Sequence, residues 1–134
     1  MTDQPEAVLE ALPLASLPAL KRPLDGGIFC GVITLPDGKH YAIVKLDAKP
    51  KKRLNWKDAT KWAKKVGGQL PSRAVAALLF SFAKELFEPS WHWTCESHGS
   101  SCAWGCPFDG GTQSCYVTSY DGFAVAVRLI PLTS

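Results

Sequence analysis

Ten prolines and eleven glycines cut this chain into short pieces, and where they fall limits what it can fold into. A proline inside a helix removes a donor and clashes with the preceding turn, so Pro13 and Pro18 leave room for only about two helical turns, over Pro5 to Leu12, in the first 24 residues. That segment reads as a flexible or docking arm. Asp25-Gly26-Gly27 then opens the strand signal IFCGVITL, and Pro36-Asp37-Gly38 separates it from a second, KHYAIVKL, which predicts a β-hairpin. KLDAKPKKRL has no periodicity and reads as an exposed loop. Asn55 is a good N-cap for a helix whose apolar stripe is Trp56, Ala59, Trp62, Ala63 and Val66, stopped by Gly67-Gly68. Ser72 caps a second helix, with Val75, Leu78, Leu79, Phe82 and Leu86 as its stripe, which ends before Pro89. Beyond Trp91 the texture changes to aromatics, Ser, Gly and Cys. Short strands are expected at WHWTC, CAWGCPF, SCYVTS and FAVAVRLI between turns at Gly99, Gly110-Gly111 and Gly122. Hairpin, two helices, then a meander of short strands is an α+β order with an antiparallel sheet, not a doubly wound one.

Composition narrows the class further. In 134 residues, 46% of them hydrophobic and 20% charged, a single packed core is expected and a disordered chain is excluded. No apolar run approaches the roughly 18 residues that a membrane-crossing helix needs, so no membrane insertion is expected. The opening Met1-Thr2-Asp3-Gln4-Pro5-Glu6 does not resemble a secretory signal, which predicts a cytoplasmic protein. Five cysteines, an odd number, without an export signal predict reduced thiols rather than a disulfide framework.

Charge is unevenly placed. Nine of the fifteen basic residues (Lys45, Lys49, Lys51, Lys52, Arg53, Lys57, Lys61, Lys64 and Lys65) fall between positions 45 and 65 against two acids, while the whole chain carries only +3. The remainder is therefore net acidic and the molecule two-sided. Clustered cations on a loop and one helix face attract a polyanion or an acidic protein in a salt-dependent way. Lys49, Lys51, Lys52, Arg53, Lys57, Lys61, Lys64 and Lys65 are accordingly the candidate partner-binding face. No helix-turn-helix or zinc finger accompanies them, so sequence-specific DNA recognition is not expected.

Several segments in order carry a family resemblance: GGIFCGVI; the helix W-K-D-A-x-x-W-A-x-x-V-G-G-x-L-P-S-R; L-F-E-P-S-W-H-W-T; C-A-W-G-C-P-F-D-G-G-T-Q; and the closing G-F-A-V-A-V-R-L-I-P. Over about residues 26 to 131 the chain resembles the bacterial and phage domain of unknown function related to the C-terminal domain of a collagen-like adhesin. The resemblance implies a C-type-lectin-like fold over residues 25–134, following the arm of residues 1–24. In that fold N- and C-terminal strands pair, and an irregular stretch after the second helix presents a binding surface. It also implies a phage or mobile-element protein, which could be virion-associated. The Glu-Pro-Asn, Gln-Pro-Asp and Trp-Asn-Asp signatures of calcium-dependent sugar lectins are missing, and Glu88-Pro89-Ser90 falls in the wrong context, so calcium-mediated sugar binding is not implied.

The irregular stretch from Glu96 to Asp121 is the candidate ligand surface, with Trp104, Phe108, Tyr116 and Tyr120 able to stack on a ligand and His98, Asp109 and Gln113 able to hydrogen-bond it. Tryptophans in so short a chain are also expected to fill the core. Cys95, His98, Cys102 and Cys106 could supply four zinc ligands, although all crowd one Gly/Ser-rich segment rather than forming two pairs across an intervening element. His40, His92 and His98 are the candidate bases for a nucleophile, yet none sits in a recognisable motif. Alternation in Trp91-His92-Trp93 predicts His92 as a polar surface residue facing away from both tryptophans.

The expectation is a non-enzymatic binding protein, without a cofactor, that engages an acidic macromolecule and could thereby inhibit a host protein. The alternatives are a virion or adhesin module binding surface glycans, and a thiol- or zinc-dependent enzyme. The arm could support a homo-oligomer, and the core is expected to survive its deletion.

Overall fold

The computed structural model describes residues 10–133; the helical turns expected over Pro5–Leu12 fall mostly outside that range. The chain is mixed α+β, two helices with two sheets. The predicted hairpin forms from β3 (Gly27–Thr34) and β4 (His40–Leu46). Two short strands precede it, β1 (Leu12–Pro13) and β2 (Pro23–Leu24), and the closing strand is β8 (Val127–Thr133). These build a five-stranded sheet in the order β1-β8-β4-β3-β2, in which β1 and β8 are the one parallel pair among otherwise antiparallel neighbours. A second antiparallel sheet consists of β5 (Trp91–His98), β6 (Cys102–Pro107) and β7 (Ser114–Val117).

Both helices start and stop where their caps place them. In α1 (Trp56–Lys65) the Asn55 side chain accepts the Asp58 N–H. At its end Gly67 takes φ +91°, donating to the Lys64 carbonyl while Gly68 donates to that of Ala63, the paired bonds of a Schellman stop. In α2 (Arg73–Ala83) the Ser72 hydroxyl accepts the Val75 N–H, and one 3-10 turn, Lys84–Leu86, carries the chain onward. Among the described residues no helix is long and apolar enough to cross a membrane.

Two clusters of buried side chains lie on opposite faces of the five-stranded sheet. Ala42, Val44 and Leu46 of β4 pack with Ala59 and Ala63 of α1 and with Trp93. Ile43, on the other face, packs with Val75, Ala76 and Leu79 of α2 and with Cys106 and Phe108. The indole N–H groups that this burial would strand are satisfied: Trp93 donates to the Leu54 carbonyl (2.8 Å) and Trp56 to that of Thr94 (2.9 Å). On β8, Arg128 reaches the Gly67 carbonyl at 2.8 Å and the Asp25 carbonyl at 3.1 Å, tying the end of α1 to the β2–β3 turn.

Two expectations are modified. FAVAVRLI is not one strand, because residues 122–126 give their backbone bonds to three different partners. Gly122 pairs with Leu54, the Phe123 carbonyl accepts from Trp93, and the Ala126 carbonyl accepts from Leu46; β8 therefore begins only at Val127. The described part of the N-terminal segment lies against the sheet: Leu12 pairs with Leu132, Pro23 with Ile28, and Leu12, Leu17 and Leu24 pack on the core. The body of the fold thus starts before Asp25.

Deleting residues 1–24 should lower stability. Three partly buried leucines at about 1 kcal/mol each amount to a loss of about 3 kcal/mol, or roughly 10 °C in Tm for a chain of this size. Thermal unfolding followed by circular dichroism checks this, and an unchanged Tm would show that the segment only decorates the sheet.

Candidate functional site

The lysine-rich loop following β4 is held at both ends. Leu46 donates to Ala126 at 2.9 Å, and Leu54 exchanges two bonds of 2.9 Å with Gly122. Between these pins residues 47–53 arch over a cavity of about 290 Å³. Lys49, Lys51, Lys52 and Arg53 all border the cavity and are exposed. Its walls are largely apolar, formed by Leu86 and Phe87 after α2 and by Phe123, Ala124 and Val125.

Lys45 lies inside this site. Period-two alternation places it on the same face of β4 as Ile43, so its side chain runs into the apolar layer beneath α2 and is only 8% exposed. Its ammonium lies 5.6 Å from the centroid of the Phe87 ring. The ion pairs among the described residues join Lys21 to Glu85 and Arg128 to Asp25, and among those residues none places a carboxylate within 4.0 Å of the Lys45 ammonium. Burial holds its pKa below the usual lysine value, Lys49 adds to that, and Asp47 opposes it. At the rim Arg53 sits 5.0 Å above the Phe123 ring, a second cation on an aromatic face.

His92 completes the lining, and here the expectation of a surface histidine is corrected. It does face away from Trp93, but both faces of β5 are covered. His92 is 4% exposed, edge-on to Phe87 at 5.7 Å and to Phe108 at 4.9 Å, and stacked on Phe123 at 5.4 Å. Burial pushes its pKa down to about 4, with the carbonyl of Ser90 opposing and the charge of Lys45 assisting. The ring is therefore neutral near neutral pH. Its Nδ1, 3.1 Å from that carbonyl oxygen, carries the proton as donor.

The other predicted site residues are distributed differently. Lys57, Lys61, Lys64 and Lys65 are exposed along α1 and do not border the cavity. In the Glu96–Asp121 stretch several candidates are engaged within the protein. Arg73 covers the Trp104 ring at 3.6 Å and donates to Gln113, whose amide donates back to the Arg73 carbonyl. His98 lies edge-on to Trp104 at 5.2 Å, and Tyr116 stacks on Trp91 at 3.9 Å. Among the named aromatic and acidic candidates, Asp109 and Tyr120 are the exposed ones.

The four suggested zinc ligands are not assembled: Cys106 is buried in the layer against α2, whereas Cys95 and His98 are exposed, and among the described residues no three His, Cys, Asp or Glu side chains converge as a metal site requires. Burial raises the thiol pKa values of Cys30 and Cys106, the opposite of what a thiolate nucleophile needs. Sequence reasoning counted Lys45 among the loop cations and missed its burial, placed His92 at the surface, and overlooked Phe87 and Phe123. The available signal was a lysine inside the apolar run HYAIVKL, on the parity of Ile43.

Compared with protein-family models and with curated proteins, the chain matches none.

Because His92 has a lower pKa folded than the ordinary 6.5 of the unfolded chain, the unfolded state binds more protons between those values. Its contribution is intact above pH 6.5 and is lost as pH falls toward 4. By pH 5 the loss should be roughly 2 kcal/mol. Urea denaturation at pH 7 and pH 5 should show this drop in the wild type and a smaller one in His92→Phe; equal drops would place the titration elsewhere.

Proposed function

We propose that the protein is a non-enzymatic binding protein with a C-type-lectin-like domain that engages an acidic protein through the cationic loop of residues 47–53. The observation that carries this reading is the pinned loop itself. Four cations, Lys49, Lys51, Lys52 and Arg53, are presented without an intervening acid on a backbone fixed at Leu46 and Leu54. A fixed loop loses less conformational freedom on binding than a mobile one. Like charges gathered on one edge accelerate association with an acidic surface and reject a basic one. The exposed lysines of α1 extend the same field, and the aromatic walls behind the loop can seat an apolar group of the partner.

The resemblance to the phage and bacterial domain related to the collagen-like adhesin's C-terminal region supports the same reading. The pairing of β1 with β8 and the placement of the second sheet between α2 and β8 are compatible with it. Glycan binding on the Glu96–Asp121 surface has less support, because the faces of Trp104 and Tyr116 are already covered by Arg73 and Trp91. Thiol chemistry has less support for the pKa reason given above.

The triple variant Lys51→Glu, Lys52→Glu, Arg53→Glu tests the proposal. Exposed cations contribute little to folding and their mutual repulsion is relieved, so Tm should hold. Affinity for a fluorescent polyglutamate chain at low ionic strength, read by anisotropy, should fall at least about tenfold, and wild-type affinity should decline with added salt. Equal binding by variant and wild type would remove the loop from the interface; a duplex DNA probe bound more tightly than polyglutamate would redirect the reading to nucleic acid.

A further inference from the structure

We propose that the cavity beneath the loop is a specific site for an organic carboxylate, an acid group on a compact aromatic or aliphatic body, held by the Lys45 ammonium. The inference concerns the interior of the site and does not depend on the identity of any macromolecular partner.

Three observations carry it. Lys45 is more than nine-tenths buried, borders the cavity, and has no carboxylate partner among the described residues. An ammonium partly withdrawn from water without a counter-charge is disfavoured, and a carboxylate accepting a charge-assisted hydrogen bond from it relieves that cost. The rest of the lining specifies what accompanies the carboxylate. Phe87 and Phe123, with Leu86 and Val125, favour a ring or alkyl body over a hydrated inorganic ion. The cavity's 290 Å³ is near the lower end of small-molecule pockets, room for a ring on a short acyl arm. Finally, the interior charge is single. His92 is neutral, and Glu88, the one acid in the lining, disfavours a second negative charge on the ligand. The rim cations would draw an anion in, and Lys45 would hold it.

The same chemistry has two sources, a free small acid or the C-terminal carboxylate of a chain ending in phenylalanine. The probes are therefore 3-phenylpropionate, its uncharged counterpart 3-phenylpropanol, and a short peptide ending in phenylalanine as free acid or amide. Each is titrated into the full-length protein by calorimetry, with amide shifts of the residues around the cavity as the locator. Phenylpropionate should bind at least about tenfold more tightly than the alcohol, and Lys45→Met, which keeps the apolar stem, should abolish that preference. Lys45→Arg should retain it, which separates loss of charge from loss of fold should the methionine variant unfold. A peptide acid that outcompetes phenylpropionate points to a partner's terminus, and the reverse order to a free acid; both support carboxylate recognition. Lys45→Met should keep polyglutamate affinity within about threefold, because Lys45 is buried and is not one of the exposed loop cations, so this proposal and the acidic-partner reading can fail separately. Equal binding of acid and alcohol, no phenylpropionate binding, or an unaltered preference in Lys45→Met would overturn it.

Discussion

The arrangement rests on β4, whose residues Ala42 to Leu46 are all buried. A strand hydrogen-bonded on both edges, to β3 and β8, and covered on both faces has no direction left in which to turn a side chain toward water. Even residues meet α1 and Trp93; odd residues meet α2. That is ordinary for Ile43 and Val44. It becomes consequential at Lys45, the last position before Leu46 ends the strand, because alternation leaves its long side chain no choice but the apolar layer beneath α2. The stem is buried at little cost, and the ammonium at its tip reaches the cavity between Phe87 and the loop.

The second sheet closes the site from the other side through the same physics. In β5, Trp93 turns toward α1 while His92 turns toward Phe87 and Phe108. The parallel bridge of His92 with Phe123 and the bond from Trp93 to Phe123 bring residues 122–126 alongside β5. That segment in turn holds Leu46 and Leu54. One short irregular stretch therefore joins the two sheets, fixes both ends of the cationic loop and supplies a wall of the cavity. Its lack of regular structure follows from serving three partners in five residues.

Much of this was legible in the residues. Both helix caps, the glycine stop of α1, the β3–β4 hairpin and the strand positions near Trp91, Cys102 and Ser114 follow from local rules that the tertiary structure did not override. The loop cations were legible as a cluster, but their division between cavity rim and helix face was not, because charge patterning carries no information about which backbone bonds anchor a loop. His92 was misread for a related reason. Alternation gives the relative direction of neighbouring side chains, and whether both directions end in protein depends on a long-range packing of β5 against α2 and Phe123. FAVAVRLI had strand composition throughout, yet its first residues are drawn to partners thirty and eighty positions away.

The residue that local reasoning placed least well, Lys45, is also the one whose presence stability alone does not explain. Methionine would fill the same channel with nearly the same stem and would not leave an ammonium among aromatic rings, and exchanging buried charges for apolar groups of similar size is often neutral or stabilising. Position 45 also gains nothing from intrinsic strand preference, in which lysine ranks low. The neighbouring cations make its charge costlier still, since Lys49 repels it. A chain selected only for folding would discard such a feature, whereas sites that recognise ligands keep polar groups poised at a cost met elsewhere in the fold. Here it is met by two clusters of buried side chains on either face of β4, whose continuity allows one strand to end in a charge without coming apart.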